Sequence, residues 1–387
     1  MIKALSLILA SLSLASCPSS SVVEEPSTPA PLLQVSLPSK HGDVFAFDLF
    51  REMASTRQGN VTLSPASLER LLLLLREGAA GDTHSSLDKL PLGKQGVPSA
   101  MQVQSADALF ADQGFSLKPV SVPVHRVSFA QSPGQAVKAI NDWASKKTHG
   151  MIPGIVTDKN ITTDTRLVAL NAIYLREKWL CPFEPNVTQK APFHCADGTT
   201  CTVPMMLQQT KFLYAEGEDW QAVALGYDAQ GRKGEAGFFI GILPKGSAHD
   251  FAQKLTVQKY NAIRQALVQA KHQEVRVFLP KMDLDSGIVS LNASLKKLGL
   301  ATMFSDRADF SRFSDEPLMV SDVVQRCHVI TNEKETIAAA VTGAIVEQCC
   351  IPLEEIKEIR FDRPFIWLIG DLNTPAPPYF IGLYGKP

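Results

Sequence analysis

The chain has 387 residues and a formal net charge of −1, from 38 Lys and Arg against 39 Asp and Glu. This balance lacks the basic footprint of nucleic-acid-binding proteins, so we expect no nucleic acid among its partners. Apolar residues make up 45% of the chain, which is enough for a sizeable core and excludes a disordered protein.

The first 40 residues have the composition of a leader followed by a tether. Lys3 precedes the apolar stretch ALSLILASLSLA, which is too short to span a bilayer. The small residues of LASC resemble a bacterial lipobox, which predicts a signal peptide over residues 1–16 and lipidation of Cys17. An ordinary secretory signal is the alternative, and either one exports the protein. A Pro- and Ser-rich tether over residues 17–40 would hold one folded domain, residues 41–387, at a bacterial membrane or cell surface.

Helical patterns come first in the domain. GDVFAFDLFREMAS has apolar residues at helical spacing, and the short strand pattern NVTL precedes a helix that starts near Ser64 and Pro65. Ser is a preferred N-cap and Pro suits the first helical turn. AVKAINDWASKKTHGMIPGIV predicts another amphipathic helix, which ends at Gly150.

Strand patterns dominate the middle and the end. TRLVALNAIYL is almost wholly apolar and predicts a central buried strand. AVALGY, AGFFIGILP and EVRVFLPKMDL predict further strands, SLNASLKKLGL predicts a helix, and FIWLIGD and YFIGLYGKP predict a hairpin. Long strands separated by helices indicate an α+β fold with one large mixed or antiparallel sheet.

Cysteine spacing indicates one possible disulfide. In FHCADGTTC a turn would place Cys195 and Cys201 opposite each other, within bridging range. A disulfide and two free thiols are equally compatible with this pattern. Since no Cys-x-x-Cys pair has His at zinc spacing, we expect neither a metal nor a cofactor.

Several blocks carry a resemblance to the serpin family from about residue 44 to residue 387. In the family's order they include NVTLSPASLERLLLLLREGAAGDT, INDWASKKTHGMIPGIV, LVALNAIYLREKWLCPFEPNVT, LPKMDL and FDRPFIWLIGD. The resemblance implies a serpin fold: a large central sheet A, smaller sheets B and C, surrounding helices and an exposed reactive-centre loop. Helices D and E look shortened, so we expect no heparin activation. A monomer is expected.

The resemblance also implies roles for the segment from Asn332 to Cys350. Its start matches the hinge: Glu333, Lys334, Glu335, Thr336, Ile337, Ala338, Ala339, Ala340, Val341 and Thr342. Counting from Glu333 by the usual family span places the reactive bond at Cys349-Cys350. The stretch that follows is longer than in common serpins, so Val346 or Cys350 could instead precede the cut.

An inserted strand alternates its side chains between two faces. The inward set would be small or β-branched and uncharged: Thr336, Ala338, Ala340, Thr342, Ala344 and Val346. The charges at Glu335 and Glu347 would face solvent. The segment therefore suits a loop that becomes a strand after cleavage, which is the strand addition for which serpin loops are a standing example.

Two other matches concern the sheet opening. Ser64, Asn171 and Gln325 match the family's shutter cluster, with Gln325 in place of the usual His, and Trp179 matches the breach Trp. A Gln amide still donates and accepts, so the polar latch would persist without pH sensitivity. The family usually has Gly where this chain has Glu335, and it often has Glu where this chain has Ile337. Both positions face outward by the alternation, so insertion should survive but proceed more slowly.

The function implied is an irreversible suicide inhibitor of serine proteases that is metastable, protects the cell surface and is not an enzyme. Cys349 before the bond fits chymotrypsin-like or elastase-like pockets, and no Lys or Arg lies between Lys334 and Lys357. Alternatives are a non-inhibitory decoy or binding protein, and an inhibitor of papain-like cysteine proteases. A hydrolase that uses Cys349 or a serine is disfavoured, because no Gly-x-Ser-x-Gly elbow occurs.

Overall fold

The structure, a computed structural model, describes residues 43–57, 59–92, 101, 103–229, 235–336, 356–373 and 377–387. The helices in this part of the chain are α1 (Asp43–Thr56), α2 (Pro65–Gly78), α3 (Gly81–Asp88), α4 (Pro133–Lys147), α5 (Ala248–Gln253), α6 (Val257–Gln269) and α7 (Asn292–Leu295). Three short helical turns, Pro185–Val187, Lys296–Leu300 and Ala301–Phe304, add to them. The predicted start of α2 is confirmed, since the Ser64 hydroxyl caps the helix by accepting from the Ser67 amide at 3.3 Å.

The strands are β1 (Val61–Leu63), β2 (Val103–Asp112), β3 (Val124–Val127), β4 (Leu167–Leu175), β5 (Glu177–Lys178), β6 (Gln189–His194), β7 (Thr200–Glu216), β8 (Trp220–Asp228), β9 (Glu235–Pro244), β10 (His272–Pro280), β11 (Met282–Asp285), β12 (Val289–Ser290), β13 (Val324–Gln325), β14 (His328–Thr331), β15 (Glu335–Thr336), β16 (Lys357–Arg360), β17 (Phe365–Gly370) and β18 (Phe380–Tyr384). Groups of strands are separated by helices along the chain, and the predicted α+β class is confirmed.

The largest sheet has nine strands in the order β1-β18-β17-β9-β8-β7-β10-β16, with β6 paired to β7. It is mixed, because β10 and β16 run parallel while the other pairs are antiparallel. The predicted C-terminal hairpin is present as β17 and β18, with Ile366 opposite Leu383. Pairing of β1 with β18 brings the start and the end of the described domain together.

Apolar side chains cover both faces of this sheet. Along β17, Ile366 and Leu368 enter one core with α1, α2, α5 and α6, while Trp367 enters a second core on the opposite face. All six residues of β17 are buried for this reason. The second core is tight at Gly382, where a Cβ atom would lie 2.4 Å from the Trp367 ring.

A second group of strands forms separate, smaller sheets. β3-β2-β4 is a three-stranded sheet, and β11-β14, β12-β13 and β15-β5 are pairs. Here the prediction of a central strand at residues 165–175 is wrong for the described residues. β4 is the last strand of its sheet, and most of its first three and last three residues are only half-buried. The reason is that, among the strands the structure describes, none pairs with the outer edge of β4, which faces a cleft.

The region between α3 and α4, where helices D and E look shortened in the sequence, is described only in part. The described residues 103–132 contain β2 and β3 and no helix. Among the helices of the described ranges, none combines the length and the apolar character that crossing a membrane demands.

Candidate functional site

A cleft separates β4 from β14. Residues 170–175 line one wall and residues 324–329 line the other, with Thr336 between them and helix α4 on one face. No ladder joins β4 and β14 in the part of the chain that the structure describes. Within the described residues, the two strand edges therefore line one cleft without pairing to each other, which is the geometry that an additional strand would satisfy.

The chain reverses direction beside this cleft. After β14 ends at Thr331, the Asn332 amide donates to the Glu335 carbonyl oxygen at 3.1 Å, and the Asn332 side chain accepts from the Lys334 amide at 3.0 Å. β15 then pairs antiparallel with β5, with Thr336 opposite Glu177. The hinge thus already has strand conformation at its last two described residues.

Thr336 is buried, which agrees with its assignment to the inward set. Its hydroxyl lies 2.9 Å from the hydroxyl of Tyr227. Burial raises the pKa of Tyr227, so the phenol stays neutral and able to donate. Trp179 stacks on the Tyr227 ring with centroids 4.9 Å apart, which fixes the ring where Thr336 enters.

The prediction that the Glu335 carboxylate faces solvent is wrong in the structure. Its side chain is 1% exposed, because the Arg176 guanidinium reaches across the turn and donates from Nε to Oε2 at 3.2 Å. A buried carboxylate needs such a charged partner. This chain has Glu335 where the family usually has Gly. Arg176 balances the negative charge that Glu335 introduces.

Glu333 is held by a second cation. Lys281 Nζ lies 2.6 Å from Glu333 Oε1, and the Thr188 hydroxyl donates to the same oxygen at 2.9 Å. Burial alone would raise the pKa of Glu333, but these two donors hold it below its usual range. The Trp179 indole donates to the Asn332 carbonyl oxygen at 2.7 Å, so the predicted breach Trp anchors the turn itself.

The three residues predicted as a shutter cluster, Ser64, Asn171 and Gln325, all line the cleft. The Gln325 amide pairs reciprocally with the Ser64 backbone, accepting from its N–H at 3.0 Å and donating to its carbonyl oxygen at 2.9 Å. Asn171 lines the same cleft, but its amide donates to the Asp107 carboxylate at 2.7 Å. The structure therefore brings Ser64 and Gln325 into contact and places Asn171 on the opposite wall.

Most of the predicted hinge, the predicted reactive bond and the lipidation site lie outside the described residues, whereas the possible disulfide pair lies at the turn between β6 and β7. Ile337, Ala338, Ala339, Ala340, Val341, Thr342, Val346, Cys349, Cys350 and Cys17 fall outside the described ranges. Cys195 and Cys201 meet across the predicted turn, where Gly198 has φ +80°. Both are free thiols with their Sγ atoms 3.0 Å apart.

Sequence reasoning missed three residues of this site: Arg176, Lys281 and Tyr227. Two of them carry a weak signal, because Arg176 and Lys281 interrupt or directly follow apolar strand runs where a charge is unexpected. The sequence alone does not show which carboxylate each of these cations contacts. Across the described ranges, no three His, Cys, Asp or Glu side chains converge as a metal site requires.

Comparison with known proteins agrees with this geometry. A family model described as "Serpin (serine protease inhibitor)" matches residues 40–105 and 94–387. The leukocyte elastase inhibitor of Bos taurus is 31% identical over 360 residues, covering 84% of this chain and 93% of that protein. An uncharacterized serpin-like protein of Thermococcus kodakarensis is 31% identical over 361 residues, covering 85% and 81%.

Solved structures give the same match. The thermophilic serpin tengpin in its native state superposes with a TM-score of 0.76 at 25% identity, covering 90% of this chain and 93% of that one. Thyroxine-binding globulin in complex with thyroxine reaches 0.76 at 22% identity, with 89% and 98% covered. This second likeness concerns the fold alone.

Proposed function

Because this chain belongs to the serpin family, a family of protease inhibitors, we propose that it is a suicide-substrate inhibitor of serine proteases. Its targets are chymotrypsin-like or elastase-like enzymes, and the inhibition is irreversible. The observation that carries the proposal is the cleft between β4 and β14, with Thr336 already paired as a strand at its mouth. The residues that follow Thr336 are small and mostly uncharged.

The proposed reaction begins as ordinary proteolysis. The protease serine attacks the carbonyl carbon of Cys349, and the bond to the Cys350 nitrogen breaks. The serine forms an ester with Cys349, while Cys350 leaves as a new amino terminus. The freed segment then enters the cleft as a strand between β4 and β14, antiparallel to β4 as β15 is to β5. Fully extended, residues 333–349 span roughly 55 Å, enough to carry the protease across the domain before water hydrolyses the ester.

Energetics favour insertion, since each backbone group on the facing edges gains a partner. Each backbone hydrogen bond contributes a net stabilisation of about 1 kcal/mol.

The residue before the reactive bond sets the class of target. Cys349 has a small, polarizable side chain that fits apolar pockets. Trypsin-like enzymes are poor targets, because no Lys or Arg lies between Lys334 and Lys357.

The proposal predicts a complex between this protein and chymotrypsin or elastase that resists boiling in SDS. Mass spectrometry of the released C-terminal peptide would identify its first residue, for which we expect Cys350. A peptide that starts elsewhere, for example after Val346, would move the bond and keep the mechanism. Complete cleavage of the loop without any stable complex would refute inhibition.

Glu335 gives a reason to consider a second function. A buried carboxylate at the hinge, where the family usually has Gly, slows insertion if its ion pair must rearrange. A loop that inserts too slowly is hydrolysed, and the protein would then act as a decoy substrate or a binding protein. Papain-like cysteine proteases, which also form acyl intermediates, are a further class of target for the same SDS assay.

We also propose that the protein is exported and tethered. Residues 1–16 would be removed, a lipid on Cys17 would anchor the chain, and residues 17–40 would separate a single domain of residues 41–387 from the membrane. Pairing of β1 with β18 supports one domain.

The Cys17→Ala variant should therefore move from the membrane fraction to the soluble fraction, because it lacks the thiol that a lipid needs. Its inhibitory activity should be unchanged. Retention of this variant in the membrane fraction would refute the lipid anchor.

A further inference from the structure

The segment that leaves α4 lies over the cleft. α4 packs against β2, β3 and β4, and the Asn141 side chain accepts from the Ile155 and Val156 amides at 2.8 and 3.1 Å. The exit segment, residues 148–156, is thereby fixed to α4. It shares the lining of the cleft with both strand walls through four of its residues: Thr148, Met151, Ile152 and Ile155.

Two side chains from the opposite wall hold this segment. Arg326 donates from one terminal nitrogen to the Gly154 carbonyl oxygen at 3.0 Å. His328 Nδ1 lies 3.1 Å from the Met151 carbonyl oxygen. Since α4 belongs to the β4 side and both side chains belong to the β14 side, the two contacts span the cleft.

Each of these side chains is itself held by a carboxylate on β11. Arg326 forms a bidentate ion pair with Asp285. Its Nε donates to Oδ1 at 3.0 Å and its other terminal nitrogen donates to Oδ2 at 2.5 Å. His328 Nε2 lies 2.6 Å from Asp283 Oδ1. We call these two chains of contacts, Asp285–Arg326–Gly154 and Asp283–His328–Met151, the clasp.

The two halves of the clasp differ in their response to pH. Arg326 stays charged at all physiological pH values. Both ring nitrogens of His328 face acceptors, a carbonyl oxygen and a carboxylate. Only the imidazolium can donate from both nitrogens, since a neutral ring has a single N–H. Loss of the proton therefore removes one of the two contacts.

The charged groups placed against His328 come from two elements. β11 supplies Asp283 in direct contact and Asp285 as the residue opposite His328 in the strand ladder. The residues that lead into β14 supply Arg326, which forms an ion pair with Asp285. The α4 side presents the Met151 carbonyl oxygen. The carboxylates of Asp283 and Asp285 thus both lie beside the His328 ring. Arg326 forms an ion pair with Asp285, whereas Asp283 contacts His328.

We propose that the clasp is a pH-dependent gate on strand insertion. It holds the α4 exit segment over the cleft while His328 is protonated, and it loosens when the ring becomes neutral. The inference rests on the proposed function, because it concerns the rate at which a strand enters the same cleft.

The test uses the full protein and a synthetic peptide of residues 336–348, added in excess to the uncleaved chain. Annealing of a fluorescently labelled peptide into the cleft is followed at about pH 5.5 and about pH 8. We expect annealing to be roughly tenfold faster at the higher pH, the factor that corresponds to one lost hydrogen bond to a charged group.

Two variants test the role of His328, and a third variant at a distant histidine is the control. His328→Gln should remove the pH dependence, leaving less than about a twofold ratio between the two rates. Asp283→Asn should weaken it in the same direction, and because its side chain is 72% exposed the fold should be unaffected. His249→Gln, on α5 and away from the cleft, should keep the tenfold ratio.

The outcomes separate the gate from the function on which it rests. A rate ratio that is the same in the unmodified protein, His328→Gln and Asp283→Asn would overturn the clasp while leaving insertion intact. An absence of annealing at both pH values in every variant would count against strand insertion, and the gate would fall with it.

Discussion

Replacement of Thr336 by arginine should convert the protein from an inhibitor into a substrate. Thr336 is 2% exposed and its hydroxyl meets that of Tyr227 inside the domain. A guanidinium at this position would lose its hydration, and that penalty of several kcal/mol exceeds the attraction of the buried Glu177 carboxylate on the opposite strand. Because entry of the strand competes with hydrolysis of the acyl-enzyme, we expect the fraction of protease captured as SDS-stable complex to fall at least about tenfold.

Lys334→Ala is the matched control for this change. Lys334 is two residues away in the same turn, but it is half-exposed and its two described hydrogen bonds are made through its backbone. The control should capture protease as well as the unmodified chain. Equal capture by Thr336→Arg would show that this residue does not enter a packed interior, and the alternation of inward and outward residues would be wrong.

Replacement of Arg176 by glutamine should destabilise the uncleaved protein by about 2 kcal/mol. The change leaves the Glu335 carboxylate buried without the cation that now lies 3.2 Å away. Breaking a fully buried pair costs more, about 3–5 kcal/mol, but the Arg176 side chain is 44% exposed and water would replace part of the contact. Urea unfolding monitored by tryptophan fluorescence measures the loss.

A double-mutant cycle assigns that loss to the pair. Glu335→Gln in the Arg176→Gln background should recover at least about 1 kcal/mol, since no charge is then left unpaired. Lys138→Gln, which breaks the exposed pair with Asp142 on α4, should change stability by less than about 0.5 kcal/mol. Additive losses from the two changes at Arg176 and Glu335 would mean that the ion pair contributes nothing to the turn.

Local signals in the sequence predicted much of this fold because their physics is local. A Ser hydroxyl followed by Pro specifies the start of α2 whatever its surroundings, and the turn around Gly198 brings β6 and β7 together over six residues. Runs of apolar residues predicted the strands in the same way. An alternation counted from Thr336 also placed that residue on the inward face.

Contacts between distant residues could not be predicted in this way. Arg176 and Glu335 are 159 residues apart, and only the packing of β5 beside β15 reveals that they pair. Alternation gave Glu335 an outward direction, but it could not show that a guanidinium covers that side. The same limit applies to β4, whose apolar composition predicted a central strand although its edge faces the cleft.

The most direct test of strand insertion is the thermal stability of the protein after a single cut in the loop. If the freed segment enters between β4 and β14, about ten new backbone hydrogen bonds at about 1 kcal/mol each should stabilise the nicked form. At about 2 °C per kcal/mol, the midpoint of thermal unfolding should rise by about 20 °C over that of the intact chain. A midpoint that stays the same or falls after cleavage would contradict the account.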